Sequence, residues 1–256
     1  MIEGFALFAE LTPADSKAIL SAAHEKRFSR KKIIFSEGDP VRHVTMLLSG
    51  FVKVTQMELN GSEVILRLNA AGEIVGSYRA CVNCIHSSTA QAVQLCVALV
   101  WEAAVFEKLL ARIPTFRRNT VRALEERLLE LEQQFQEVSR ERVGSRLAKA
   151  LLRLSDRLGR STNGHVEITL SRAELAQLTG TTLFTVSRLL CRWQSLGIVE
   201  NKRECVLVRD LAALVKLSRG EDDPDAMVCA PLKPKPRLGS GVIALPEPHD
   251  PPPSSV

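Results

Sequence analysis

"SRAELAQLTGTTLFTVSRLLCRWQSLGIV", Ser171 to Val199, decides the reading of this chain. Ser171 followed three residues later by Glu174 is a capping box, the mark of a helix start. Leu175 and Leu178 fall on the inward face of that short helix, and Gly180 permits a tight turn after it. Thr181 or Thr182 can cap a second helix, which stops at Gly197. In the second helix Val186, Leu189, Leu190 and Trp193 recur at steps of three and four, the spacing of one buried face. Ser187, Arg188 and Arg192 lie on the other side. Two short helices joined by a glycine turn make a helix-turn-helix. The following "IVENKRECVLVRD" sets two short apolar runs around a polar, basic tip, as a β-hairpin wing would. An unrelated helical hairpin would explain the periodicity alone, but cap, glycine, helix and wing agree on a DNA-reading unit. Leu183 and Phe184 do not fit so simply: both are bulky and apolar, and both precede the buried stripe.

Upstream, Val121, Leu124, Leu128, Leu131, Phe135 and Val138 step by three and four in alternation, a heptad seam flanked by "EERLLELEQQ". A stripe this narrow on a long charged helix needs a partner, and we expect a parallel homodimer through it. A helix packed on its own domain is the alternative. Val143, Leu147, Ala150, Leu151, Leu154 and Leu158 then share one face of a second helix ending at Gly159, and "GRSTNGH" reads as a turn.

Near the start, "LTPADSKAILSAAHEK" opens a short helix that Thr12 can cap, with Pro13 at its first position and Asp15 near its positive end. From Arg30 to about Trp101 the texture changes. Runs such as "KIIF", "HVTMLLSG", "FVKVTQM", "VILRL", "STAQAV" and "CVALVW" alternate with "SEGDP", "LNGSE" and "AAGE". Short β-type runs broken by glycine turns argue a small antiparallel barrel or roll. The expected fold class is therefore α+β: an N-terminal antiparallel β-roll, a long dimerisation helix and a C-terminal winged helix-turn-helix. The expected domains are residues 1–110, 111–141 and 142–219, followed by a tail at 220–256.

The 256 residues carry a net charge of +5, a mild hint of an acidic partner such as nucleic acid. No apolar run is long enough for a membrane span, and "MIEGFALFAEL" lacks the basic region and long apolar core of a signal peptide. Six cysteines without an export signal imply a cytoplasmic protein whose thiols are unreactive, redox-active or metal-bound. Cys81 and Cys84 form "CVNC", and with His86 and Cys96 they would number four metal ligands. Cys191 and Cys205 read as packing residues. A thiol–disulfide enzyme is a rival reading, but its motif belongs at a helix start in a βαβ setting, not among short strands. A second rival is a domain that coats DNA without reading sequence. The tail holds nine of the twelve prolines and too few large apolar residues for a core.

In the order roll, heptad helix and winged helix, with "AELAQLTGTTLFTVSRLL" and the preceding "RLAKALLRL", residues 5 to 218 resemble the CRP/FNR superfamily of bacterial transcription regulators. The resemblance implies a non-enzymatic homodimer that puts two recognition helices into successive major grooves of double-stranded DNA, and RNA polymerase as a partner if it activates. It implies that Ser187 and Arg188 face base edges, Arg188 reading guanine through its planar fork. Arg192, Thr182 and the helix N-terminus would hold phosphates. Better-known members carry a charged residue where this chain has Leu183 or Phe184. An apolar side chain there can touch a thymine methyl or pack under the wing.

In cyclic-nucleotide-binding members a glutamate after a glycine holds the ribose and an arginine holds the phosphate. Here Ser77 follows Gly76, and Ser87 and Ser88 stand near the arginine's place, with no Lys or Arg between Ala80 and Glu107. That argues against cyclic AMP and leaves hydroxyls and backbone N–H groups for a weaker anion. Iron–sulfur members cluster their cysteines near the N-terminus, and none precedes Cys81 here. The effector therefore stays open between a small molecule, a thiol switch, and an iron–sulfur cluster or other metal.

Overall fold

The structure is a computed structural model that describes residues 2–57, 61, 63–77, 84–158, 160–162, 165–202 and 204–221. Two short 3-10 turns, Ile2–Gly4 and Ala6–Phe8, lead to helix α1 (Pro13–Ser21). Its cap is the expected one: Thr12 Oγ1 accepts the Asp15 N–H at 3.1 Å. The helix is shorter than the stretch that announced it, because His24–Phe28 is already strand β1. Four of the five β1 residues are exposed, so no apolar alternation marks it. Backbone pairing with the strand Cys96–Glu102 holds it instead.

The remaining strands of the roll are β2 (Ile33–Phe35), β3 (His43–Ser49), β4 (Val52–Met57), β5 (Glu63–Asn69), β6 (Ile74–Val75), β7 (Thr89–Ala92) and β8 (Cys96–Glu102). They pair antiparallel in two sheets, ordered β1-β8-β3-β6 and β2-β7-β4-β5. Small and β-branched residues from both sheets meet in one core: Phe28, Leu47, Val52, Val54, Val75, Ala90, Ala92, Cys96 and Ala98. The glycine turns do what the sequence requires of them. Gly50, between β3 and β4, has φ +87°, and a Cβ there would lie 2.5 Å from the Leu95 carbonyl oxygen.

A second core lies on the other face of the first sheet. Val44, Met46, Leu99 and Trp101 pack there against Leu7, Phe8, Ile19, Phe106, Leu109 and Phe116. The Trp101 indole donates to the Ile19 carbonyl at 2.9 Å, so this buried ring has its polar edge satisfied. Two of these residues belong to α2 (Ala103–Arg112), a helix between β8 and the heptad helix that the sequence reading passed over.

Helix α3 (Pro114–Arg140) has 27 residues, about 40 Å of helix. Its first turns are buried, and Asn119 donates to the Leu7 and Ala9 carbonyls at 3.1 and 2.7 Å. Beyond Thr120 the helix leaves the core. The chain turns at Glu141, whose backbone is extended, and continues as α4 (Val143–Leu158). Then come β9 (Arg160–Thr162), β10 (His165–Ile168), α5 (Arg172–Thr179), α6 (Leu183–Ser195), β11 (Val199–Lys202), β12 (Cys205–Val208) and α7 (Leu211–Ser218). The segment read as a plain turn, "GRSTNGH", thus carries β9 and the first residue of β10. These join the wing in a four-stranded sheet, β11-β12-β10-β9. The proline-rich tail lies outside the described residues.

Candidate nucleic-acid interface

The helix-turn-helix is built by local bonds that its sequence spells out. Ser171 Oγ accepts the Glu174 N–H at 3.2 Å, and the Glu174 carboxylate accepts the Ser171 N–H at 2.8 Å. Gly180 closes α5 in the left-handed region at φ +60°, where a side chain would be strained. Thr182, not Thr181, caps α6, its Oγ1 accepting the Thr185 N–H at 3.2 Å. Val186, Leu189, Leu190 and Trp193 are buried and join Leu147, Leu151, Ile168, Leu175, Val206 and Leu214 in one core. The wing is tied to α6 by Asn201, whose side-chain amide donates to the Leu190 carbonyl at 2.9 Å and whose backbone N–H donates to Gln194 Oε1 at 3.0 Å.

The face opposite that core is open to solvent. Thr182, Arg188 and Arg192 are exposed and Ser187 is half-buried. Leu183 is 53% exposed and Phe184 76%. Neither therefore packs under the wing, and that alternative falls. Cys191 is exposed as well, contrary to its reading as a packing residue, because it lies off the Val186–Trp193 stripe. Cys205 is buried on β12, where burial and the nearby Glu167 push its thiol pKa up.

The residues expected at an effector pocket are placed less simply. Gly76 has φ +79°, and a Cβ there would lie 2.4 Å from Phe35 Cζ. The carbonyl of Gly76 accepts from Arg127 Nη1 at 3.1 Å, so a cation does reach this loop, from α3 and not from the loop's own sequence. A search confined to neighbouring positions could not find it. Ser77 is half-buried, Ser87 exposed and Ser88 buried. The His86 ring stacks on Phe35, centroids 3.6 Å apart and planes 9° from parallel. Burial lowers the His86 pKa, against a smaller opposite pull from Asp39.

The four candidate metal ligands fall in different surroundings. Cys81 lies outside the described residues, and Cys84 is disulfide-bonded. Cys96 is buried, its thiol directed at the Phe51 and Gln94 carbonyls at 3.2 and 3.3 Å, and burial raises its pKa. Among the described residues no three His, Cys, Asp or Glu side chains converge to hold a metal. The heptad seam stands open: Val121, Leu124, Leu128, Leu131, Phe135 and Val138 are between 40% and 74% exposed.

Residues 25–113 match the cyclic nucleotide-binding domain, and residues 145–217 the Crp-like helix-turn-helix domain. The chain is 30% identical over 219 residues to the cyclic AMP receptor protein of Thermus thermophilus, covering 86% of this chain and 99% of that one. It belongs to the CRP/FNR superfamily. The anaerobic regulatory protein of Pasteurella multocida is 26% identical over 198 residues, 76% of this chain and 71% of that one. The structure of FixK2 from Bradyrhizobium japonicum superposes with a TM-score of 0.66 at 21% identity, over 76% of this chain and 96% of that one, a likeness of fold. As a CRP/FNR member the chain carries a DNA-binding helix-turn-helix and falls among transcription regulators, not enzymes. Among the described residues no helix is long and apolar enough to cross a membrane.

Proposed function

We propose that this CRP/FNR member is a cytoplasmic homodimeric regulator that reads a pseudo-palindromic DNA site through two copies of α6. Residues 1–110 serve as the sensor, 111–141 as the dimerisation helix and 142–219 as the reader. The observation that carries the reading is the outward face of α6, a capped N-terminus presenting Thr182, Leu183, Phe184, Ser187 and Arg188 to solvent or near it. Arg188 matches guanine O6 and N7; Arg192, Thr182 and the helix N-terminus take phosphates. Leu183 and Phe184 can accept no hydrogen bond, and apolar contact with a thymine methyl is what a base edge offers them. The open seam on α3 supports the dimer, since six large apolar side chains along it would otherwise face water.

Selection of binding sites from a random duplex library tests this. A two-fold site with half-sites about one helical turn apart, and thymine opposite the start of α6, is the expected result. Equal affinity for all sequences with a steep salt slope would overturn it.

For the sensor, the disulfide at Cys84 supports a thiol switch at "CVNC" over a metal site. Replacing Cys81 and Cys84 by serine should then abolish any effect of oxidant on DNA affinity. An unchanged oxidant response rules that pair out. The name of the Thermus relative favours a second reading, a cyclic-nucleotide effector. The serines at 77, 87 and 88 count against it, and titration with cyclic AMP decides.

A further inference from the structure

The β-roll holds a cavity of about 350 Å³ at the turn from β2 to β3. Arg42, His43 and Asp39 stand at its mouth, all exposed. Thr45 and His86 are buried at its floor, and Phe35 forms a wall. Gly76, Ser77, Ser87 and Ser88, the residues expected at an effector pocket, do not line it. Phe35 separates the two places, since its ring also packs on Gly76.

Both residues of the floor are polar and lack a partner. Thr45 of β3 is 4% exposed and His86 6%. Among the described residues the Thr45 hydroxyl and the His86 ring nitrogens make no hydrogen bond. Buried polar groups are ordinarily paired, and a hydroxyl left alone costs stability. Two such groups lining one cavity mark it as the place where their partner stands.

The mouth supplies charge. Among the described residues Arg42 has no ion-pair partner, and its planar fork matches a carboxylate through two parallel bonds. Asp39 stands beside it, held in place by accepting the Ser36 N–H at 2.7 Å. That second charge disfavours a dianion such as a phosphate ester and leaves room for a single negative charge. Ile34 and Phe35 make the wall apolar, which suits a ligand with an apolar body. The cavity also rests on backbone bonded to the end of "CVNC". The Gly38 N–H donates to the His86 carbonyl and the His86 N–H to the Asp39 carbonyl, both at 2.8 Å, and the Val41 N–H donates to the Cys84 carbonyl at 2.9 Å.

The geometry points to a binding site for a small planar monocarboxylate that carries a hydrogen-bond acceptor at the end away from its carboxylate. The carboxylate pairs with Arg42 at the mouth, the ring lies along Phe35, and the far acceptor takes the Thr45 hydroxyl beside His86. An occupant braces the turn at Gly38–Val41 against residues 84–86, next to the thiol pair. This deepens the reading of residues 1–110 as the sensor and rests on it for any effect on DNA; binding itself does not depend on that reading.

The test titrates isonicotinate, and benzoate as its counterpart without the ring nitrogen, into the full-length protein and follows the imidazole proton resonances of the five histidines. We expect the His43 and His86 signals, assigned from His43→Gln and His86→Gln, to shift saturably with an isonicotinate Kd of about 1 mM or tighter, while those of His165 and His249 stay in place. Arg42→Gln should weaken isonicotinate about tenfold or more. Thr45→Val keeps the shape of the side chain and removes the unpaired hydroxyl. It should bring isonicotinate down to the benzoate level, leave benzoate unchanged and not lower the melting temperature. No saturable shift up to about 10 mM overturns the proposal. So does an Arg42→Gln protein that binds like the parent, or equal affinity of the parent for the two acids. None of these readouts involves DNA, so the DNA-reading and dimer assignments stand or fall on their own experiments.

Discussion

Phe184 shows how one residue separates a stable fold from a working surface. At 76% exposure it gains almost nothing from the hydrophobic effect, and it sits one residue into a helix whose cap and buried stripe do not need it. Its use is therefore to be sought outside the chain. Phe184→Glu should leave thermal stability nearly unchanged and move the selected base opposite α6 from thymine toward cytosine, whose amino group a carboxylate can accept. Site selection repeated with the variant checks it. Arg188→Ala should cost roughly 1–3 kcal/mol of discrimination at its base pair, read by anisotropy on matched and mismatched duplexes. His86 makes a different kind of prediction. Burial against Phe35 keeps its folded pKa below 6.5, so the unfolded chain takes up the proton first as the pH falls. The stability this lends is present above about pH 6.5 and is lost as the pH drops toward the folded pKa. His86→Phe should keep the ring stack and flatten the fall in melting temperature between about pH 7 and pH 5.

Among the elements, α3 repeats the same division along its length. Phe116, Asn119 and Thr120 anchor it, while the seam residues from Val121 to Val138 are between 40% and 74% exposed. Leu128→Asp would place two carboxylates face to face in a parallel dimer and weaken association by on the order of 2–4 kcal/mol, without touching the core of either protomer. Sedimentation at several concentrations measures it, and DNA affinity should fall with dimer content. Elements with strong local chemistry could be read from the sequence: the Ser171 box, the Gly180 stop and the Thr182 cap all stand where their residues predict. Elements that rest on pairing could not. β1 is polar and β9 belongs to a turn-rich stretch, and both exist because β8 and β10 offer them a backbone edge.

At the scale of the whole molecule, the winged helix and the β-roll are not independent bodies. Ile65 and Leu68 of β5 are buried in the core of the winged helix. Beside them Arg157 of α4 bonds Glu73 at the β5–β6 turn and lies 3.9 Å from Glu130 of α3. Arg153 reaches across the Glu141 turn to Glu137 of α3 at 2.6 Å. A cavity of about 250 Å³ lies at this meeting point, lined in part by Arg67, Glu130, Arg153, Arg157 and Leu178. These contacts join the β-roll to the winged helix. Arg157→Ala should leave each core folded and loosen the junction by about 1 kcal/mol, since the ion pairs are only partly buried. Faster hydrogen exchange in β5 and the first turns of α4, with the α6 core unchanged, is the expected readout.

The sequence by itself determined the winged helix-turn-helix, the heptad seam and the β-roll, because caps, glycine stops and apolar periods act between residues a few positions apart. It also placed Ser187, Arg188 and Arg192 opposite the buried stripe of α6, since a helix face follows from spacing alone. Only the tertiary structure decided that Leu183 and Phe184 face solvent, that Arg127 reaches Gly76, that His86 stacks on Phe35, and that Arg30 meets the wing at Glu204. Those contacts join residues far apart in the chain. Their partners are chosen by how sheets and helices pack, and no local pattern records that choice.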